Sequence, residues 1–79
     1  MNLTLLGYGK MGRMIASLAR STHTIVSIID PAAPEATHKS ISVEALAKTD
    51  VVIDFSHPSS VMSNIGLLVP FKKNIVMGT

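Results

Sequence analysis

Apolar and polar positions follow two alternating patterns along this chain: short, nearly unbroken apolar runs, and longer stretches with apolar residues three and four apart. Residues 2–6 are the first short run and predict a strand. Met11, Met14, Ile15, Leu18 and Ala19 then recur at i, i+3, i+4, i+7 and i+8, which predicts a helix with these residues on its core face. Lys10, Arg13, Ser17 and Arg20 fall mostly off that face. Ser21-Thr22-His23 breaks the helix. Residues 24–29 are β-branched and almost continuously apolar, as expected of a parallel strand covered on both sides. Asp30-Pro31 ends that strand, because the residue before proline is pushed out of helical geometry.

Residues 31–40, rich in proline, alanine and polar residues, predict a loop. Ser42 is a good N-cap for a short helix over residues 43–48, with Glu44 near its positive end. Val51-Val52-Ile53 predicts a third strand that ends at Asp54. Pro58 suits a first helical position, and a helix to about Val69 follows, with Val61, Met62, Ile65 and Leu68 as its apolar stripe. Pro70 stops it. Residues 74–77 predict a fourth strand, and Gly78-Thr79 begins a turn. The alternation is βαβαβαβ, and right-handed crossovers predict a Rossmann-like α/β fold with a parallel sheet in the order 3-2-1-4.

Length and composition narrow the reading. At 79 residues the chain holds one small domain, whereas a complete dinucleotide-binding domain takes about 120–150 residues. It is therefore expected to be a truncated, partial domain. Hydrophobic residues make up 47% and charged residues 15%, too apolar for a disordered segment. The net charge of +2 is small and its basic residues are scattered, so no nucleic-acid partner is expected. There is no cysteine, which excludes disulfides, thiolate metal sites and cysteine nucleophiles. Neither a leader nor a membrane-length apolar run is present, so a cytoplasmic protein without a membrane partner is expected.

The candidate chemistry is concentrated in Gly7-Tyr8-Gly9-Lys10-Met11-Gly12. It follows a strand and opens a helix, and Asp30 ends the next strand eighteen residues later. That order is the dinucleotide-binding fingerprint. Gly7 permits the tight turn, Gly9 lets backbone approach a pyrophosphate, and Gly12 lets helix and strand pack closely. The first helical turn offers free N–H groups to phosphate, and Asp30 is placed to accept hydrogen bonds from the adenosine ribose. His23, His38 and His57 have no metal-ligand spacing and are taken as structural or surface residues, with His57 the best placed to brush a cofactor. No metal site is expected.

Beyond the fingerprint, Asp50-Val51-Val52-Ile53-Asp54-Phe55-Ser56-His57-Pro58, followed about twenty residues later by Val76-Met77-Gly78-Thr79, resembles the dihydrodipicolinate reductase family. The match covers the whole chain but only the amino-terminal part of the family's sequence. It implies an NAD(P)H-dependent reductase of 4-hydroxy-tetrahydrodipicolinate in diaminopimelate and lysine biosynthesis, this chain supplying the cofactor domain and being inactive alone. By position, the cofactor contacts are Gly7, Tyr8, Gly9, Lys10, Met11, Gly12, Arg13 and Asp30, then Asp54, Phe55 and Ser56, then Gly78 and Thr79 beside the nicotinamide. The family's paired-histidine and lysine motif is absent, so no catalytic residue is assigned. A substrate domain that takes the dicarboxylate, and a homotetramer interface, would lie beyond Thr79.

Pro31 follows Asp30 where many members carry a basic residue. An acid there repels a 2′-phosphate and favours a free diol, so NADH is expected over NADPH, with Lys39 and Arg13 as possible phosphate partners. Two other readings stay open: another two-domain dehydrogenase of the aspartate-dehydrogenase kind, and a non-catalytic nucleotide-binding module.

Overall fold

A computed structural model describes residues 1–78, the side chains of Pro58 and Val61 excepted. Four strands, β1 (Asn2–Leu6), β2 (Thr24–Ile29), β3 (Val51–Asp54) and β4 (Asn74–Met77), alternate with three helices, α1 (Lys10–Ala19), α2 (Val43–Leu46) and α3 (Val61–Leu68). One-turn 3₁₀ segments, Pro58–Ser60 and Val69–Phe71, flank α3. All strand pairs are parallel, and the fold is Rossmann-like α/β.

The sheet order is β2-β1-β3-β4. The place outside β2, which the expected order 3-2-1-4 gives to residues 51–54, holds only a single parallel bridge between Ile29 and His38. The cause lies in the loop after β2. Thr37 and His38 donate their backbone N–H groups to the Ile28 carbonyl, and the Thr37 hydroxyl accepts from the Ile28 N–H. Asp30 N–H donates to the His38 carbonyl. The ladder positions along the carboxyl-terminal half of that edge are therefore taken, and β3 pairs with the other side of β1.

Strands buried on both faces explain the near-continuous apolar runs. Leu6, Ile29 and Val52 point to the face covered by α2 and α3, where they pack with Ala45, Leu46 and Leu68. Leu5 and Ile28 point to the opposite face, with Tyr8 and Ala16. On the α2 side a register shift between Leu3 and Thr4 sets Thr4 opposite Ser27. Thr4 Oγ1 then lies 2.8 Å from Ser27 Oγ and 2.6 Å from Thr49 Oγ1, while Ser27 donates to the Ala45 carbonyl. This buried chain satisfies its own polar atoms. Ser42 caps α2 as expected, accepting from Ala45 N–H at 3.1 Å.

Helix α1 turns differently from its apolar count. The residues it buries are Gly12 and Ala16, whereas Met11, Met14 and Leu18 are 53%, 51% and 67% exposed. Ile15 and Ala19 are half-buried. A helix laid close against a sheet needs small residues at the contact, and a Cβ on Gly12 would stand 2.6 Å from the Gly7 carbonyl oxygen. The large apolar residues are displaced to the flank. In α3 likewise, Leu68 is buried and Ile65 half-buried, but Met62 is 78% exposed.

Candidate functional site

The carboxyl ends of the strands bring the site together. Each ladder continues one residue past its strand: Gly7 N–H donates to Ile29 O, Phe55 N–H to Leu6 O and Gly78 N–H to Asp54 O, all at 2.8 Å. Three segments far apart in sequence thereby form one edge. The order in which they meet differs from the expected 3-2-1-4, which sets strand four beside strand one: β3 is the neighbour of β1, and Gly78 lies beyond Phe55.

Gly7 has φ +92°, and a Cβ there would lie 2.8 Å from Ser56 N and 2.9 Å from Phe55 C. The turn after β1 thus needs glycine twice, for its backbone conformation and for the close passage of the β3 exit. Gly78 is bare for a similar reason. A Cβ there would collide with the Phe55 ring.

Gly9 differs from these. Its φ of −83° is ordinary for any residue, and a Cβ would meet nothing within 4 Å. It is the N-cap of α1, supplies no capping side chain, and is followed by a first turn without acidic residues. The N–H groups that open α1 therefore lack a side-chain acceptor at the cap.

Around this turn lies a cleft of about 580 Å³. Leu6, Gly7, Tyr8 and Gly9 line its middle, Asp30, Pro31, Lys39, Ser40 and Ile41 one side, and Phe55, Ser56, His57, Ser60 and Asn64 the other. An adjoining open groove runs past Lys10 and Arg13 to the 32–34 loop. Of the residues anticipated from sequence, Gly7, Tyr8, Gly9, Asp30, Phe55 and Ser56 border the cleft, and Lys10 and Arg13 border the groove. Gly12 is buried under the turn, Met11 points outward, and Thr79 lies outside the described residues.

Asp54 lies beneath the surface, fully buried. Its Oδ1 accepts from Ser56 N–H at 2.8 Å and from the Ser56 hydroxyl, and Asn64 Nδ2 donates to that same hydroxyl at 2.8 Å. Asp54 Oδ2 is a buried oxygen without a hydrogen-bond partner among the described residues. Asp54 therefore holds Ser56 in place. Asn64 was not foreseen; its signal was a polar amide, next to Ser63, in a largely apolar helix.

Asp30 is also occupied by the backbone. Oδ2 accepts from Tyr8 N–H at 2.7 Å, and Oδ1 from Ala32 and Ala33 N–H at 2.8 and 3.1 Å. A carboxylate offers about four acceptor positions, so three are taken and one remains for a ligand hydroxyl. The Tyr8 N–H is the main reason that this carboxyl is held below its ordinary range; Ala32, Ala33 and the Arg13 charge add to the effect, and partial burial opposes it. A depressed carboxylate contributes stability above the unfolded-state value, and that contribution is lost as pH falls through the folded one. Asp30→Asn is thus expected to cost about 1–3 kcal/mol at pH 7. Urea unfolding should show that gap narrowing below about pH 4, and a gap constant with pH would refute the assignment.

Among the described residues, no three His, Cys, Asp or Glu side chains cluster as metal ligands, and no helix is long and apolar enough to cross a membrane. His23 Nδ1 is near the amino terminus at 3.5 Å, His38 pairs with the Thr37 hydroxyl at 2.8 Å, and His57 pairs with the Ser59 hydroxyl at 2.8 Å while lining the cleft.

Comparison with known proteins agrees with this geometry. The family model described as "Dihydrodipicolinate reductase, N-terminus" matches residues 1–79. The 4-hydroxy-tetrahydrodipicolinate reductase of Staphylococcus haemolyticus (strain JCSC1435) is 38% identical over 63 residues, 75% of this chain and 26% of that protein. The protein of the same name from Staphylococcus epidermidis (strain ATCC 12228 / FDA PCI 1200) is 39% identical over 61 residues, 73% of this chain and 25% of its own. The chain thus spans about a quarter of the length of the curated relatives it matches. With a model matched along its full length and a glycine turn built as that fold requires, the chain belongs to the family of dihydrodipicolinate reductase amino-terminal domains.

Proposed function

We propose that this chain is the pyridine-nucleotide domain of a reductase that acts on 4-hydroxy-tetrahydrodipicolinate, in diaminopimelate and lysine synthesis. The observation that carries the cofactor part is Gly9. The fold has no need of glycine at that position, yet bare backbone is what a pyrophosphate lying over a helix start requires. The substrate and pathway rest on family membership and on the names of the relatives.

The residues present fit the nucleotide. Gly7, Tyr8 and Gly9, with the opening N–H groups of α1, would hold the pyrophosphate, and Lys10 adds positive charge beside it. Asp30 would accept one ribose hydroxyl with its remaining position. Phe55 and Ser56, fixed by Asp54 and backed by Gly78, would floor the path towards the nicotinamide. When bound, the reduced nicotinamide supplies the hydride. This chain's part is to bind, to orient and to keep that floor rigid. The dicarboxylate, the proton donor and the homotetramer contacts belong to the remainder of the full-length protein, in the cytoplasm, and NADH is the favoured nucleotide.

The test is oxidation of NADH and NADPH by the full-length protein when supplied with 4-hydroxy-tetrahydrodipicolinate. Turnover dependent on that substrate is expected. Nucleotide binding without such turnover would remove the substrate assignment, and absence of binding would remove the cofactor assignment as well.

A further inference from the structure

The open groove beside the α1 start holds an ion pair that the cofactor reading does not use. Arg13, in the first turn of α1, extends over the Tyr8 ring, its guanidinium carbon 4.7 Å from the ring centroid. Both of its terminal nitrogens meet Glu35: Nη2 donates to Oε1 at 3.0 Å, and Nη1 pairs with Oε2. The fork is fully engaged by one carboxylate.

This pair is partly exposed, and an isolated surface pair contributes little. Glu35, however, is carried by a segment tied down on both sides. Before it, Ala32 and Ala33 are bound to Asp30; after it, Ala36 N–H donates to Ala33 O and Thr37 is bound to Ile28. The carboxylate is delivered to Arg13 by a short, anchored loop. The cation also lies in the groove that Asp30 borders, at the end of the cleft where a ribose would sit.

An arginine fork recognises carboxylate and phosphate with the same two parallel hydrogen bonds. A cation beside the acid that ends β2 is the usual receptor for a ribose 2′-phosphate. We propose that Glu35 determines nucleotide preference: it fills the fork of Arg13 as an internal anion, and so denies a 2′-phosphate its partner while leaving the free diol to Asp30. Pro31 contributes no competing cation at the position after Asp30, so Arg13 is the nearest fork available in that groove. The inference rests on the dinucleotide reading above and adds the residue that discriminates within it.

Equilibrium titration of the full-length protein with NAD⁺ and NADP⁺, without turnover, tests it. Wild type should prefer NAD⁺. Glu35→Gln frees the fork and removes one negative charge, and should tighten NADP⁺ about tenfold, the scale of one partly exposed charge-assisted fork, with NAD⁺ changed less than twofold. The gain should shrink as salt is raised. The double variant Glu35→Gln/Arg13→Ala should return to the wild-type ratio. An unchanged ratio in Glu35→Gln overturns the proposal, as does a gain that survives loss of Arg13. Equal weakening of both nucleotides would make Glu35 a loop tether only and overturns it too. Failure of wild type to bind either nucleotide removes the dinucleotide reading itself, and is thereby distinguished from failure of the discriminator alone.

Discussion

Gly7→Ala should destabilise the protein by about 4 kcal/mol, because two costs coincide at one residue. The backbone at Gly7 has φ +92°, which an alanine adopts only with strain. The added methyl would also lie 2.8 Å from Ser56 N and 2.9 Å from Phe55 C. Those are backbone atoms held by the β1–β3 ladder through Phe55 N–H and Leu6 O, so they cannot rotate aside as a flexible side chain would. Relief requires the first turn and the β3 exit to part, and that opens the sheet at its centre. Chemical denaturation of the full-length protein should show the loss, and a change below about 1 kcal/mol would mean that the crossing is softer than its geometry.

The second large effect separates ligand from fold. Gly9→Ala should leave stability within about 0.5 kcal/mol of wild type, or raise it slightly through the unfolded chain, since its Cβ meets nothing within 4 Å. Nucleotide affinity should nevertheless fall about 100-fold, equivalent to about 2.8 kcal/mol. The methyl would stand where a pyrophosphate must touch the turn. Binding by calorimetry together with a melting curve on the same sample checks both halves. A variant that melts normally and binds normally would refute the assignment of Gly9. The contrast with Gly7 is informative, because the two glycines share a motif but only one is required by the protein itself.

Much of this was readable from the chain, and the misses have physical causes. Strand positions followed from short β-branched runs because both faces of a parallel sheet are covered. The Ser42 cap followed from local chemistry alone. The core face of α1 was misread since counting apolar residues ranks Met11, Met14 and Leu18 above Gly12 and Ala16. Close helix–sheet contact reverses that ranking, and the Gly12–Ala16 spacing of four was the available sign. The neighbour of β1 was misjudged because no periodicity reveals a loop that hydrogen-bonds to a strand edge. Thr37 and His38 do so through backbone atoms, which every residue has. At the site, the glycines and Asp30 were evident from their order. What Asp30 touches was not: its partners are N–H groups of Tyr8, Ala32 and Ala33. The links from Asp54 to Ser56 to Asn64 needed three dimensions, as did Glu35, an unremarkable loop acid until it meets Arg13.

The loop bonded along β2 also makes the sheet one-sided. Its bonds to Ile28 and Asp30 cover the carboxyl-terminal half of that border, whereas β4 pairs only with β3 among the described residues and leaves Val76 and Met77 uncovered. At the carboxyl ends of the strands, among the described residues, a further strand finds free peptide groups on the β4 side. A strand added beside β4 would extend the rim that Gly7, Phe55 and Gly78 form, whereas the loop at Thr37 and His38 closes the opposite end of that rim to one.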